Sequence, residues 1–361
     1  MGRVRCPRSN MTPSSSAPAW LTTALEALLE RRDLSAMHMC ELMHGLLGGS
    51  CGEPETAAVL VALHMKGETA DELAAAAAVL REYCLPLQVG RTDVLDTCGT
   101  GGDGSCTFNI STATALVAAG AGVPVVKHGN RAISSRSGSA DVLAALGVRV
   151  ELDPAAAKRC LERAGMTFCL APQFHPHMRH VGAVRRRLGV RTLFNCLGPL
   201  ANPARAPYQL LGVGQPELLE PIAGALAELG TRHAFLVSGR DGLGEVSLAA
   251  PTRVREVRGH SVTEAEWTAA DFELEPCALG DLRAISPAES AAIVQAVLAG
   301  ERGPAGRVVL ANAAAALLAA ERVSSLVEGV VRARAAISSG GARQALERLA
   351  TCSRDFQSCG C

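Results

Sequence analysis

The sequence predicts an α/β protein with a small all-helical N-terminal domain and a large α/β domain built on a mainly parallel sheet. Residues 19–86 carry apolar side chains at helical spacing and show no strand pattern. From residue 87 onward, short apolar runs alternate with helical segments, the pattern typical of a parallel sheet. Aromatic residues make up only 3% of the 361 residues, so mainly Ala, Val and Leu must form the core.

The bulk composition excludes several classes of protein. Formal net charge is zero, from 35 basic and 35 acidic side chains, so no global field favours nucleic acid or an anionic membrane. No apolar run approaches the roughly 18 residues that a membrane span needs. The thirteen cysteines are scattered, without a CxxC pair, which favours a reduced, cytoplasmic protein. We expect no membrane and no nucleic acid among its partners.

Both ends of the chain are expected to lie outside the folded core. Residues 1–18 contain Arg and Ser but no apolar segment of a secretory signal, so we predict a disordered extension, with Met11 as a second candidate start. Residues 353–361 are predicted to be a tail that carries Cys359 and Cys361. The domains between them are predicted as 19–86, to which part of 175–205 could be added, and 87–352.

Two sequence patterns predict helices in the N-terminal domain. Leu21, Leu25 and Leu28 recur at helical spacing. Thr69 and Glu72 form a Thr-x-x-Glu capping box that begins an Ala-rich helix.

The large domain shows the alternating pattern. Strands are predicted at or near 94–95, 123–126, 148–152, 166–170, 208–213, 234–237 and 308–310. Helices are predicted over 111–119, 139–146, 217–229 and 287–298, with one more that begins at Pro154.

A glycine-rich loop, Asp96–Gly104, follows the first of these strands. Four of its last six residues are glycine, which lets the backbone approach a ligand closely. The helix after it begins near Asn109, so its free N–H groups favour an anion such as phosphate. Gly99, Gly101 and Gly104 match GxGxxG, but no acidic residue follows about 20 positions on, and a P-loop lysine is missing. A plain glycine-rich turn is the alternative.

Two further segments carry polar side chains after predicted strands or before predicted helices. The segment Lys127–Arg131 lies at the carboxyl end of a strand, where ligands bind in open α/β sheets. Lys127 is one of only three lysines in the chain, which hints that a compact charge matters there. The hydroxyl-rich turn Ser134–Asp141 is a second candidate phosphate cradle, although Ser139 or Asp141 could simply cap a helix.

Together these segments resemble the anthranilate phosphoribosyltransferase family of tryptophan biosynthesis, with its GTGGD loop, NxST turn, KHGNR segment and SGSAD turn. The resemblance continues in residues 65–69, 175–176, 184–192 and 195–203, and covers about 20–350. It implies the nucleoside phosphorylase/phosphoribosyltransferase architecture and a homodimer formed through the helical domain. It also implies Mg²⁺ and transfer of a phosphoribosyl group from phosphoribosyl pyrophosphate (PRPP) to anthranilate.

Site residues follow from this resemblance by matching position. The residues expected to hold PRPP are Gly99, Gly102, Asp103, Thr107, Asn109, Ser111, Thr112, Lys127, Ser135 and Ser139. Those expected to hold anthranilate or line its path are Gly99, His128, Asn130, His175, Arg185, Gly198 and Pro199. Ser111 and Glu245 are the expected metal ligands. No general base is assigned, because an aromatic amine is unprotonated at neutral pH.

One departure from the family pattern is Gly244, which stands where the family has the Asp of an Asp-Glu pair. Losing a carboxylate predicts a weaker Mg²⁺ site and makes a catalytically weakened homologue one alternative. A nucleoside phosphorylase-like enzyme is another, although its motifs are not found. A nucleic-acid-binding homologue is a third, based on a basic face that would comprise Arg179, Arg185, Arg186, Arg187 and Arg191.

Overall fold

The computed structural model describes residues 18–132 and 137–355. The predicted N-terminal extension, Ser135, Cys359 and Cys361 therefore lie outside the described residues, apart from Pro18 at the edge. No helix among those described is long and apolar enough to cross a membrane.

The N-terminal part contains only helices, as predicted. They are α1 (Ala19–Leu29), α2 (Ala36–Gly48), α3 (Glu53–Lys66) and α4 (Ala70–Glu82). The capping box is present, because Thr69 Oγ1 accepts from Glu72 N and Glu72 Oε2 accepts from Thr69 N at 2.9 Å. Glu72 is fully buried and also accepts from Lys66 Nζ at 2.8 Å and from Leu34 N at 2.8 Å. This carboxylate therefore joins the start of α4 to the end of α3 and to the loop before α2.

One seven-stranded sheet forms the centre of the large part, in the order β3-β2-β1-β4-β5-β6-β7. The strands are β1 (Leu95–Gly99), β2 (Val125–Gly129), β3 (Met166–Leu170), β4 (Tyr208–Gly212), β5 (His233–Gly239), β6 (Thr252–Arg258) and β7 (Ser261–Trp267). The first five run parallel, and β6 and β7 form an antiparallel hairpin at the edge. The predicted mainly parallel sheet is confirmed.

Helices cover both faces of this sheet. They are α5 (Ile110–Gly120), α6 (Ser139–Ala145), α7 (Pro154–Ala164), α8 (Ala171–Phe174), α9 (Arg179–Leu188), α10 (Leu193–Leu200), α11 (Leu219–Glu228), α12 (Pro287–Leu298), α13 (Pro304–Ala319), α14 (Leu326–Ser338) and α15 (Gly341–Arg354). One face packs on α5–α7 and α12–α15 in a single apolar core. The other face packs on α10 and α11, whose buried side chains continue into the core of α1–α4.

Two predicted strands are wrong. Residues 308–310 lie inside α13, where Val308 and Val309 are buried on the helix that Pro304 begins. A short apolar run does not distinguish a strand from a buried helix. Residues 148–152 are extended and alternate in burial, but they form no ladder among the described strands, and Arg149 N donates to Ser353 Oγ instead.

The boundary between the two domains remains a prediction, with one refinement. Val181 of α9 and Leu193, Leu197 and Leu200 of α10 belong to the same core as the N-terminal helices. We therefore propose that α9 and α10, within 175–205, belong to the helical domain. The chain would then cross between domains three times, which places α10 beside the carboxyl ends of the strands.

Candidate active site

Three segments predicted from the sequence meet at one edge of the sheet. The glycine-rich loop follows β1, Lys127–Gly129 ends β2, and the two strands are parallel neighbours. The third segment reaches the same edge where Gly138 caps α6, since a Cβ on Gly129 would lie 2.3 Å from Ser139 Oγ. Glycine at 129 therefore lets the start of α6 lie against the end of β2.

The glycine-rich loop is tightly folded. Gly101, Gly102 and Gly104 have φ of 65°, 75° and 69°, a left-handed conformation that side chains rarely adopt. Asp103 accepts from Ser105 N at 3.2 Å and from Ser105 Oγ at 2.9 Å. These bonds hold the loop in a defined shape at the end of β1.

Asn109 caps the helix that follows the loop. Its Oδ1 accepts from Thr112 N at 3.1 Å and from Thr112 Oγ1 at 2.5 Å. The Thr112 side chain is buried, so its hydroxyl supports the cap instead of facing a ligand. Ser111 and Thr107 are only partly buried, and both remain near the open end of α5. The N–H groups of Ile110 and Thr112 are already bonded, to Phe108 O and Asn109 Oδ1, so this end offers an anion mainly the helix dipole and the Ser111 hydroxyl.

Lys127 is 1% exposed and points to the same place. Its Nζ donates to Thr97 O and, at 3.1 Å, to Ser111 Oγ. Burial lowers the pKa of Lys127, while the Asp96 carboxylate nearby opposes that effect. Burial in turn raises the pKa of Asp96 to about 6, against the charge of Lys127 and a 2.8 Å hydrogen bond from Asn202 Nδ2. A buried counter-ion thus supports the one lysine at the site.

Glu245 adds a second carboxylate beside Lys127. Burial raises the pKa of Glu245 to about 8, the Lys127 charge lowers it, and the Asp103 charge raises it further. Gly244, the preceding residue, donates its N–H to Asp103 Oδ2 at 3.1 Å. Asp241, a nearby carboxylate, is occupied in its own turn, where it accepts from Ser247 Oγ at 2.7 Å and Leu243 N at 3.2 Å.

Hard oxygen donors are present for a metal, but few of them. Among residues 18–132 and 137–355, no group of three or more His, Cys, Asp or Glu side chains could hold a metal ion. Glu245, Asp103 and the Ser111 hydroxyl supply oxygen, which Mg²⁺ prefers. Because Mg²⁺ usually keeps several waters and shares phosphate oxygens of a substrate, this set fits a Mg²⁺ that a phosphorylated ligand brings.

A cavity of about 310 Å³ lies on the outer side of the loop. It is lined by Asp103, Gly104, Ser105, Asp241, Gly242, Leu279, Gly280 and Arg283. Arg283 is held there by a β-bridge between its backbone and that of Thr107. The sequence analysis did not identify Arg283, because only the tertiary fold brings it beside the loop.

Two histidines lie on the opposite face of the sheet edge. His128 and His175 are buried, with ring centroids 5.1 Å apart. His128 Nδ1 lies 3.0 Å from Gly198 O, to which it donates as the neutral tautomer. Burial lowers the pKa of His128 to about 3 and that of His175 to about 4. Both imidazoles are therefore neutral at physiological pH.

Helix α10 connects these histidines to Pro199 and Arg185, because His128 bonds Gly198 O and Arg185 lies over Phe194. Gln209 Nε2 donates to Pro199 O at 2.8 Å and fixes the end of α10. The Arg185 guanidinium is half-buried and lies over the Phe194 ring, 5.2 Å from its centroid, whereas the neighbouring Arg186 and Arg187 are exposed. Burial lowers the pKa of Arg185. A half-buried cation on an aromatic surface can grip a carboxylate, unlike a solvated one.

Arg191 reaches the glycine-rich loop from the segment between α9 and α10. Its Nη1 donates to Gly101 O at 3.0 Å. The sequence analysis placed Arg191 only in a family motif and in a candidate basic face. Arg191 thus joins the glycine-rich loop to the start of α10, a contact that the family motif did not reveal.

Comparisons with known proteins agree with this architecture. The model of the glycosyl transferase family α/β domain matches residues 91–343, and that of the family's helical bundle domain matches 22–84. An anthranilate phosphoribosyltransferase from Thermomicrobium roseum is 52% identical over 336 residues, 91% of this chain and 95% of that protein.

Solved structures are similar over nearly the whole chain. The anthranilate phosphoribosyltransferase of Thermus thermophilus has a TM-score of 0.87 and 43% identity, over 92% of this chain and 99% of that one. The Saccharomyces cerevisiae enzyme in complex with PRPP and Mg has a TM-score of 0.85 and 29% identity, over 94% and 99%. From the fold, the site and these similarities, we conclude that the chain belongs to the anthranilate phosphoribosyltransferase family.

Proposed function

We propose that this protein transfers the phosphoribosyl group of PRPP to the amine of anthranilate, giving N-(5-phosphoribosyl)anthranilate and pyrophosphate in L-tryptophan biosynthesis. One observation carries the proposal beyond family membership. The glycine-rich loop, the start of α5 and the buried Lys127 meet at one sheet edge, and the neutral imidazoles of His128 and His175 lie on its other face. Arg185 lies over Phe194 of α10, the helix whose Gly198 carbonyl accepts from His128. The first group suits a polyphosphate, and the second suits an aromatic carboxylate.

The reaction needs little proton transfer from the protein. The anthranilate nitrogen forms a bond to the anomeric carbon, the bond from that carbon to pyrophosphate oxygen breaks, and its electron pair leaves with pyrophosphate. The amine then releases a proton to solvent. His128 and His175 have pKa values near 3 and 4, so they are weak bases, and we assign no general base. Positioning and electrostatic stabilisation would supply most of the acceleration.

On the donor side, we assign PRPP to the loop, the start of α5 and Lys127. The loop backbone at Gly99, Gly102 and Asp103 would lie against PRPP. Hydrogen bonds to its phosphate or ribose oxygens would come from Thr107, Asn109, Ser111 and Ser139. Thr112 would contribute only by supporting the cap. Ser135 stays a prediction outside the described residues. Lys127 and backbone N–H groups would stabilise the departing pyrophosphate.

On the acceptor side, we propose that Arg185 binds the carboxylate of anthranilate. The aromatic ring of anthranilate would lie against the histidines and α10. Asn130 Oδ1 accepts from Arg131 N at 2.8 Å, which orients its amide nitrogen away from the backbone. His128, His175, Gly198 and Pro199 would line the path of the ring. Gly99, the last residue of β1, would contact both PRPP and anthranilate.

Mg²⁺ is the proposed cofactor, held by Ser111 and Glu245 together with PRPP oxygens. When bound, it would neutralise part of the charge that develops on pyrophosphate. The Asp103 charge raises the pKa of Glu245, so a cation near Glu245 is electrostatically favourable. PRPP and anthranilate are the proposed partners, in the cytoplasm.

We also propose a homodimer through the helical domain. Leu29 of α1 and Met65 of α3 are 77% and 64% exposed, and they border a groove that is mainly apolar. We expect Leu29→Glu to shift the protein toward monomer in light scattering coupled to gel filtration. Val331→Glu is the matched control, because Val331 is 60% exposed on α14, far along the chain in the other domain. An unchanged dimer in Leu29→Glu would place the interface elsewhere.

The test of the activity is a fluorescence assay that follows anthranilate consumption during titrations of PRPP and Mg²⁺. Consumption that requires PRPP supports the proposal. Folded protein that consumes no anthranilate at any Mg²⁺ concentration would overturn it. Nucleosides with inorganic phosphate, run in parallel, separate the phosphorylase alternative.

A further inference from the structure

Arg191 has a position that family membership alone does not explain. It lies between α9 and α10, immediately before Thr192, the N-cap of α10. Its Nη1 donates to Gly101 O at 3.0 Å, across the cleft between the two domains. A Cβ on Gly102 would lie only 1.9 Å from this nitrogen. The guanidinium therefore lies directly on the glycine-rich loop, against Gly102.

The second terminal nitrogen of Arg191, Nη2, lacks a hydrogen-bond acceptor within the described residues. Nη2 is shielded from solvent and has no hydrogen-bond partner among residues 18–132 and 137–355. A shielded donor without a partner is unfavourable, so its retention suggests a ligand that accepts from it. The guanidinium holds several N–H groups in one rigid plane, so it can donate to a carbonyl and to a second oxygen at once.

Glu68 is a carboxylate that could act as an internal partner of Arg191. Arg191 lowers and Glu68 raises the pKa of Cys196, so both charges act on the same part of α10. The two side chains nevertheless form no ion pair in the part of the chain that the structure describes, and Glu68 Oε1 is itself shielded without a partner. The positive charge of Arg191 is therefore directed at the loop and not neutralised by this carboxylate.

We propose that Arg191 is a further PRPP-binding residue, which holds Gly101 O with Nη1 and donates from Nη2 to a phosphate oxygen of PRPP. This inference rests on the proposed function and extends it. Arg191 joins the PRPP loop to α10, and the Gly198 carbonyl of α10 accepts from His128. Arg191 would thus contact the donor substrate, and it directly precedes α10, the helix that we assign to the acceptor site.

The experiment compares steady-state kinetics of four full-length variants with the unmodified enzyme. We expect Arg191→Gln to raise the KM for PRPP by about tenfold or more, the effect of one charge-assisted hydrogen bond. The KM for anthranilate should stay within about twofold, since a purely structural defect would change both. Arg191→Lys should recover the KM for PRPP only in part, because a point charge cannot bridge two acceptors as a fork does.

Arg186→Gln and Glu68→Gln are the controls. Arg186 is exposed on α9, so its removal should leave the KM for PRPP unchanged. An effect of Glu68→Gln equal to that of Arg191→Gln would overturn the proposal, because it would show that the two side chains act as a pair. A KM for PRPP that is unchanged in Arg191→Gln, or a KM for both substrates that rises equally, would overturn it as well.

A separate binding measurement distinguishes this inference from the proposed function. Isothermal titration with inorganic pyrophosphate and Mg²⁺ reports the phosphate site without turnover. If the unmodified protein consumed no anthranilate, the proposed function would fail, and weaker pyrophosphate binding by Arg191→Lys would still support Arg191 as a phosphate ligand. Equal binding by both proteins would overturn it. If Arg191→Gln does not fold, Arg191→Lys still allows the proposal to be tested.

Discussion

Lys127 and His128 are consecutive residues of β2, yet their side chains enter opposite environments. Lys127 reaches Ser111 and a buried carboxylate, and we call Asp96, Asp103, Lys127 and Glu245 the donor side. His128 reaches Gly198 O, and we call His128, His175, Arg185 and Gly198 the acceptor side. Successive side chains of a strand point to opposite faces, so a single strand end supplies both.

The difference between these sides lies in how each handles charge. The donor side buries ionisable groups together, so each charge depends on its neighbours and on the ligand that arrives. The acceptor side keeps its imidazoles neutral and offers one cation, Arg185, over an aromatic ring. The charged donor side suits a polyphosphate, and the neutral acceptor side with its one cation suits an aromatic monoacid. The two sides lie at the same edge of the sheet.

Lys127→Ala should produce the largest effect and test the donor side directly. We expect kcat/KM for PRPP to fall by roughly 10²–10³, because a preorganised charge at the leaving group is lost. Lys158→Ala, one of the two other lysines, is the control. Kinetics with PRPP measure the effect, and thermal unfolding checks that Asp96, left without its counter-ion, has not unfolded the protein. Unchanged turnover would remove Lys127 from the site.

Arg185→Ala should affect the acceptor side and spare the donor side. We expect the KM for anthranilate to rise by about 10-fold to 100-fold, since charged hydrogen bonds to the carboxylate disappear. The KM for PRPP should change little. Arg186→Ala, one position further along α9 and exposed, should match the unmodified enzyme. Equal effects of the two variants would mean that α9 acts only as a basic surface.

The donor loop was predictable from sequence, because phosphate binding concentrates glycines, hydroxyls and a lysine in short contiguous segments. The capping box at Thr69 and the strands β1 to β5 followed from local patterns of the same kind. The positions of Arg191 and Arg283 beside the loop were not predictable, since only the fold brings each of them there. Their local sequence is that of an ordinary surface arginine.

The errors in the predicted fold have a similar origin. The β6–β7 hairpin was missed because it lies at the sheet edge, and most side chains of β7 are exposed and polar. Gly259, with a φ of 57° between the two strands, was the available signal. Residues 308–310 were assigned to a strand because three apolar residues carry no period of their own, whereas the 16-residue length of α13 and Pro304 at its start indicate a buried helix.

The neutral state of His128 predicts how stability depends on pH. Its pKa is about 3 in the folded protein and ordinarily 6.5, so below pH 6.5 only the unfolded chain takes up this proton. His128 therefore costs stability as pH falls. We expect His128→Asn, whose amide can still donate to Gly198 O, to gain about 2 kcal/mol relative to the unmodified protein between pH 7 and pH 5.

Denaturant unfolding of both proteins at the two pH values measures this gain. His260→Asn is the control, because His260 is exposed at the turn between β6 and β7. A difference between the unmodified protein and His128→Asn that does not change with pH would mean that His128 is protonated in the fold. The comparison between a charged donor side and a neutral acceptor side would then fail.

Gly244→Asp should give the smallest of these effects and sharpen the description of the donor side. Gly244 is not in the left-handed region, and a Cβ there would lie 3.2 Å from Gly214 Cα and N, so a side chain needs only a small local shift. The added carboxylate would adjoin Glu245 and Asp103. We expect the Mg²⁺ concentration for half-maximal activity to fall on the order of tenfold, because affinity follows the number of charged ligands.

Gly244→Ala separates the carboxylate from the shift, since it places the same Cβ against Gly214 without a charge. If Gly244→Asp lowers the Mg²⁺ requirement and Gly244→Ala does not, the donor side of this chain is short of one metal ligand. If both variants lose activity equally, the close contact between Gly244 and Gly214 is what matters, and the added carboxylate has no separate effect. If neither changes the Mg²⁺ requirement, the metal is held by substrate oxygens and Glu245 alone, and the carboxylates serve mainly to set the charge of Lys127.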